Sequence, residues 1–248
     1  MKKIIMKKED IHRGTLVLVN RDYPLRVERE RRLCQINTNY PEVVLEKEAS
    51  VTLKKLLEEI CGENEIALVS GYRSKKEQER IYQTSLWENG GEFTRKYVAI
   101  PNHSEHQTGF AIDVGEKREE IDFICPAFSN EGAGKKFRAQ SYQYGFIERY
   151  TKEKEEITKI AAEEWHFRYV GYPHSMIIKE RGLCLEEYIE LLKDYPYGQK
   201  GLSYLAADKQ IEIFYIRAEE ETVILLPENS LYKISGNNVD GFILTLWR

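Results

Sequence analysis

The chain has 248 residues, 42% of them hydrophobic and 31% charged, with 37 basic against 41 acidic side chains and a formal net charge of −4 at pH 7. A chain of this length buries about three quarters of its unfolded surface, enough for one substantial domain and a small addition. The near balance of charge leaves no broad electrostatic footprint for nucleic acid.

Met1 to Asp10 is Lys-rich and polar, and its apolar run Ile4, Ile5 and Met6 is too short for a signal-peptide core. Residues 16–20 are an apolar run suited to a strand. The basic run 26–32 is interleaved with Glu28 and Glu30 and reads as a solvated helix face. Val51, Leu53, Leu56, Leu57 and Ile60 recur at helical spacing before Gly62 closes that helix. A strand over 66–70 leads to Arg73, and residues 75–89 read as a helix ended by Gly90, with Gln78 on its first turn. Residues 94–103 form a loop that enters the stretch Ser104 to Asp113.

Residues 114–130 follow as a long connection, because Gly115, the charged run 116–120 and Pro126 disfavour a regular element. Their apolar side chains Ile121, Phe123, Ile124 and Phe128 are expected to fold over the preceding motif as a movable cap. A helix over 131–144 ends at Gly145, strands cover 146–150 and 166–170, and short helices cover 175–181, stopped by Gly182, and 185–194. This order predicts an α+β fold, a central antiparallel sheet flanked by helices, with one catalytic domain over 1–198. Tyr195-Pro196-Tyr197-Gly198 marks the boundary. Residues 199–248, with alternation at 210–216 and strand-like runs at 222–226 and 241–247, read as a small β-rich appendage that covers an edge or serves dimerisation or substrate positioning.

The chemistry is concentrated in Ser104-Glu105-His106-Gln107-Thr108-Gly109-Phe110-Ala111-Ile112-Asp113 and in Glu163-Glu164-Trp165-His166. His106, Asp113 and His166 supply two imidazoles and a carboxylate, the inventory of a catalytic zinc site that keeps a fourth position for water, and a spare carboxylate stands beside the last histidine. His106 and Asp113 stand seven positions apart, an odd step, so a continuous strand would aim them at opposite faces. A bend at Gly109 solves this, after which Ala111 and Asp113 share one face while Phe110, Ile112 and Val114 turn to the core. This inventory points to a metallohydrolase with one zinc per chain.

The SxHxxGxAxD pattern at 104–113, the ExxH at 163–166 and the upstream Ser70-Gly71-Tyr72-Arg73-Ser74 with Gln78 resemble the zinc D,D-peptidases of the VanY, VanX and VanXY group over roughly residues 15–195. Within the group the chain resembles the two-substrate VanXY type of vancomycin resistance. The resemblance implies hydrolysis of the D-alanyl-D-alanine dipeptide and removal of the terminal D-alanine from cytoplasmic precursor pentapeptide. It implies that Glu163 is the general base and Glu164 a bystander, that Arg73 stabilises charge on the scissile carbonyl oxygen, and that Gln78 and Ser104 hold the substrate's terminal carboxylate or backbone. Trp165 is either core packing or a wall of the substrate pocket.

Two other readings remain at this point. One is a phage-type peptidoglycan peptidase of the same zinc superfamily whose appendage binds the wall. The other is a noncatalytic peptidoglycan-binding or zinc-storing domain, which needs neither Glu163 nor Arg73. His103 belongs to the loop, since HSEH matches neither HExxH nor HxxEH, and His12 and His174 are structural. Cys34, Cys61, Cys125 and Cys184 lie far apart without a CxxC pair, as reduced thiols do in a cytoplasmic protein, and no run approaches the ~18 apolar residues of a membrane span.

Overall fold

The computed structural model describes residues 1–26, 32–206 and 209–248, so the run read as a solvated helix face at 26–32 lies outside the described residues except at its two ends. The fold is α+β, and the chain divides into two compact units, Val19–Cys184 and Met1–Leu18 with Leu185–Arg248. No described helix is long and apolar enough to cross a membrane.

In the first unit β1 (Ile66–Ser70), β2 (Ala111–Glu116), β3 (Phe146–Tyr150) and β4 (Glu163–Tyr169) form an antiparallel sheet in the order β1-β2-β4-β3. Alternation decides its faces: Leu68, Ile112, Val114, Phe146 and Phe167 join Leu53, Leu56 and Leu57 of α1 (Lys47–Glu59) and Phe137 of α3 (Gly132–Gln140) in one buried cluster. The intervening residues of β2, Ala111 and Asp113, are left for the opposite face, as the period of two requires. Val51 departs from the expected helical stripe and is 46% exposed.

Register then brings distant residues together. β2 and β4 pair Asp113 with His166, so two of the expected ligands are cross-strand neighbours. Between β3 and β4 the pairing passes from Glu148 opposite Phe167 to Tyr150 opposite Glu163, which leaves extra residues on β4. Such a bulge re-aims side chains, and here it turns Glu163 toward the side that His166 faces. The strand expected at 166–170 therefore begins earlier, at Glu163.

Three other expectations are corrected. Helix α2 (Lys75–Tyr97), capped by Ser74 and Glu77 in a reciprocal box, breaks at Gly90 with φ 78° but resumes, so residues 94–97 are helical where a loop was expected. Residues 16–20 form no strand; Leu16 and Val19 are fully buried, so core packing accounts for their apolar character. The helix expected over 185–194 spans Leu185–Leu192.

In the second unit, Leu231–Gly236, Gly241–Trp247, Lys209–Arg217 and Leu202–Ala206 form an antiparallel sheet in that order, over a cluster of Phe214, Ile224, Leu226, Leu244 and Leu246. The amino-terminal segment, read as merely polar, is a strand: Lys2–Lys7 pairs with Glu221–Leu226 and turns Ile4 and Met6 onto that cluster. His12 approaches Asn238 at 2.5 Å through its Nδ1, and Asn238 Nδ2 donates to the Leu18 carbonyl. The compact units thus do not follow the line drawn at residue 198, because Met1–Leu18 and Leu185–Leu192 pack with the carboxy-terminal strands.

Candidate metal centre

Residues 105–108 form one 3-10 turn, closed by Gly109 with φ 76°, and this bend carries His106 back to the face that Asp113 presents from β2. A side chain at position 109 would be strained by that φ and would press on Glu46. His106 Nδ1 lies 2.7 Å from the Gly71 carbonyl, which only accepts, so Nδ1 carries the proton and Nε2 is bare. That Nε2 stands 3.1 Å from Asp113 Oδ2, and His166 Nδ1 stands 2.8 Å from Asp113 Oδ1. The ligand atoms of His106, Asp113 and His166 all lie within 4.8 Å of one another, all three residues are buried, and the set can hold a divalent metal ion.

Glu163 lies beside this set, its Oε2 3.8 Å from His166 Nδ1, while Glu164 points outward with 72% of its side chain exposed. Burial pushes the Glu163 carboxyl up to about 8, against the lowering pull of His166 and Arg73. Burial also disfavours the charged His166, yet its hydrogen bonds to Asp113 and Glu105 outweigh this and raise it to about 9. His106 is lowered to about 4, first by burial and then by Arg73. Asp113 is held well below the carboxylate range because the two histidines and Arg73 outweigh its burial.

These shifts predict a sign for stability in the metal-free protein. His166 and Glu163 both bind protons more tightly folded than unfolded, so their contributions fade as pH rises from 6.5 to about 9 for the histidine and from 4.5 to about 8 for the carboxyl. His106 and Asp113 act at lower pH, because their folded values lie below the unfolded ones. Thermal unfolding in chelator should show Tm falling by several degrees between neutral pH and about 9. A flat or rising Tm over that interval would contradict the assigned environments.

Arg73 leaves the end of β1 and sends Nε to Ser70 Oγ at 2.7 Å and Nη2 to Asp113 Oδ2 at 2.6 Å. Gln78, on the first turn of α2, is buried; its Nε2 donates to the Ala99 carbonyl at 2.7 Å, and its Oε1 has no hydrogen-bond partner. Ser104, Trp165, Tyr150 and Ile81 complete the wall, around a cavity of about 40 Å³ that also touches Phe123 and Ile124. A neighbouring cavity of about 680 Å³ shares Arg73, Ile81, Phe123 and Ile124 with it.

The structure separates the expected cap residues. Phe123 is 46% exposed and lies 5.3 Å from the Arg73 guanidinium, and Ile124 lines the cavity. Phe128, expected in the cap, is instead a core residue packed edge-on against Phe137 and Phe167. His103 bonds the Asn20 carbonyl outside the ligand set. All four cysteines are free, and among the described residues none lines the cavity.

Sequence reasoning passed over Glu105, Arg149, Arg168 and Tyr150. The Tyr150 ring lies 4.9 Å from that of His166. Glu105, 1% exposed, is bonded by Arg149 Nε at 2.8 Å and lies 3.5 Å from both Arg168 Nη1 and His166 Nε2. The available signal was weak: a single arginine in each of two strands, at 149 in Phe146–Tyr150 and at 168 in Glu163–Tyr169.

Residues 42–172 match the family model described as VanY, D-alanyl-D-alanine carboxypeptidase. The chain is 44% identical over 181 residues to the bifunctional D-Ala-D-Ala dipeptidase and D-Ala-D-Ala carboxypeptidase VanXYC of Enterococcus gallinarum, covering 72% of this chain and 95% of that protein. The crystal structure of the vancomycin resistance D,D-dipeptidase VanXYg, in complex with a D-Ala-D-Ala phosphinate analogue, superposes with a TM-score of 0.97 at 49% identity over 100% of this chain and 99% of that one. A vancomycin resistance D,D-pentapeptidase VanY variant from a VanB-type cassette, in complex with Zn(II), gives a TM-score of 0.61 at 30% identity over 71% of this chain and 98% of that one.

Proposed function

The chain belongs to the VanY family of D-alanyl-D-alanine carboxypeptidases, and from that membership we propose that it is a zinc D,D-peptidase. It hydrolyses the D-alanyl-D-alanine dipeptide and also removes the terminal D-alanine of peptidoglycan precursor pentapeptide in the cytoplasm. Removing that terminus deprives a glycopeptide antibiotic of its target, so the activity serves vancomycin resistance.

The observation that carries the reading is Glu163: a buried carboxyl raised to about 8 and set beside, not among, three ligand atoms. Two imidazole nitrogens and a carboxylate fit zinc, which supplies Lewis acidity to the site when bound. Glu163 takes a proton from the attacking water and returns it to the leaving amine, and the positive charge of a metal bound beside it would favour the ionised form that a base needs. Arg73 faces the carbonyl oxygen as charge develops on it. The bare Gln78 Oε1 is an acceptor, so it suits a substrate N–H and not a carboxylate oxygen, while Ser104 is left to the carboxylate. Trp165 and Tyr150 wall the site against water.

The test is an assay of zinc-loaded protein on the dipeptide, the precursor pentapeptide and intact cross-linked wall. Release of D-alanine from the first two supports the reading; release from wall alone would replace it with a wall peptidase.

Substrate length has its own prediction. Phe123 and Ile124 line the cavity at the ligand set and also border a larger neighbouring space, so they are placed to close over a dipeptide and to lift toward that space for a longer peptide. Glu116 and Ser129 bond across the base of the loop, which sets the stretch to be shortened as residues 118–125. Replacing those residues with a short Gly linker should weaken dipeptide hydrolysis roughly tenfold more than pentapeptide hydrolysis, at unchanged zinc content. Equal losses on both substrates would remove the cap.

A further inference from the structure

Beneath the metal centre lies a group of charges that the proposed reaction does not use. Glu105, Arg149 and Arg168 are each at most 1% exposed. Burying such charges costs several kcal/mol per ion, and an apolar trio of similar volume would serve stability as well or better. What distinguishes the group is where its carboxylate points. Glu105 Oε1 accepts from Arg149 Nε at 2.8 Å and lies 3.5 Å from Arg168 Nη1, so one oxygen is pinned from two strands. Oε2 lies 3.5 Å from His166 Nε2.

The two histidines present opposite ring atoms to the ligand set. His106 turns Nε2 inward and has its Nδ1–H held by the Gly71 carbonyl. His166 turns Nδ1 inward, 2.8 Å from Asp113 Oδ1, and its Nε2 faces away toward Glu105. An imidazole ligates through Nδ1 only when that nitrogen is bare, so the remaining proton must sit on Nε2 and needs an acceptor. A carboxylate in that place fixes the tautomer and ring angle and makes the ligand more basic than a neutral carbonyl does.

We propose that Glu105 is a positioning residue of the metal centre: held by Arg149 and Arg168, its carboxylate accepts the Nε2–H of His166 and thereby presents Nδ1 to the metal. This rests on the ligand assignment above, whose failure reads out separately, as unchanged zinc stoichiometry in His166→Ala.

Two measurements test it. In the parent protein loaded with zinc, heteronuclear NMR of the imidazole nitrogens should show His166 protonated at Nε2, with that proton protected from exchange. A proton on Nδ1, or a freely exchanging Nε2–H, overturns the proposal without any variant. The second measurement is zinc affinity by chelator competition, starting from metal-free protein. Glu105→Gln strips the counter-charge from two buried arginines and can fail to fold, so it is paired with the double variant Glu105→Gln, Arg149→Met, which leaves the summed charge of the trio as it was. The expected result is zinc binding weaker by roughly 10- to 100-fold in the folded double variant, with loss of Nε2–H protection. Affinity within about threefold of the parent's, with the fold intact, would assign Glu105 to ion pairing alone.

Discussion

Glu163→Ala is expected to keep about one zinc per chain and lose turnover by roughly a thousandfold or more, whereas His106→Ala or His166→Ala loses the metal itself. The split follows from geometry. Asp113 lies within 3.1 Å of both imidazoles and His106 and His166 converge on it, so removing either histidine dismantles the ligand set. Glu163 Oε2 stands farther off, 3.8 Å from His166 Nδ1, so its loss leaves three ligands in place. What disappears is a buried carboxyl placed beside the ligand set to carry the proton. Metal analysis beside turnover decides the matter. An active Glu163→Ala protein removes that carboxyl from the base role, and loss of zinc with it makes Glu163 a ligand. Glu164 is a poor substitute, being 72% exposed and turned toward Arg138.

The three residues that converge, His106, Asp113 and His166, were legible because they sit in compact patterns. Gly109 sits within the first, so the bend that reconciles His106 with Asp113 could be read locally, and the structure has it with φ 76°. The pairing of Asp113 with His166 could not be read, because it is a matter of register between strands distant in the chain. Nor could the bulge that turns Glu163 inward, since a two-residue period applied to 163–166 places base and ligand on opposite faces.

Arg149 and Arg168 failed for a related reason. A charge in a strand reads as a solvent-facing position, and the carboxylate that faces both arginines, Glu105, comes from a different segment. The amino-terminal strand was missed because its partner, Glu221–Leu226, lies at the far end of the chain, and flanking lysines hide Ile4 and Met6. Gly90 read as a helix stop; it is a local break, and whether a helix resumes after one depends on what its next turn packs against.

Arg73→Lys is expected to lower kcat by roughly a hundredfold, the scale of losing one donor to a developing oxyanion. The side chain is 13% exposed and is gripped from two directions, Nε by Ser70 Oγ at 2.7 Å and Nη2 by Asp113 Oδ2 at 2.6 Å. A guanidinium can hold both contacts and still aim its remaining N–H groups at substrate, because its donors are fixed in one plane. An ammonium is a single point and must give up one contact to keep another. Its charge survives the substitution, so the loss isolates the fork. Burial works against the charged form at this position, which also leaves a lysine less well charged than the arginine it replaces. Three measurements on the variant separate the roles. A fall in kcat with KM and zinc content held places Arg73 on the carbonyl oxygen. Near-normal kcat with a raised KM would place it on the substrate carboxylate instead. Loss of zinc would mean that its contact with Asp113 serves the metal site, and that the oxyanion role belongs to another group.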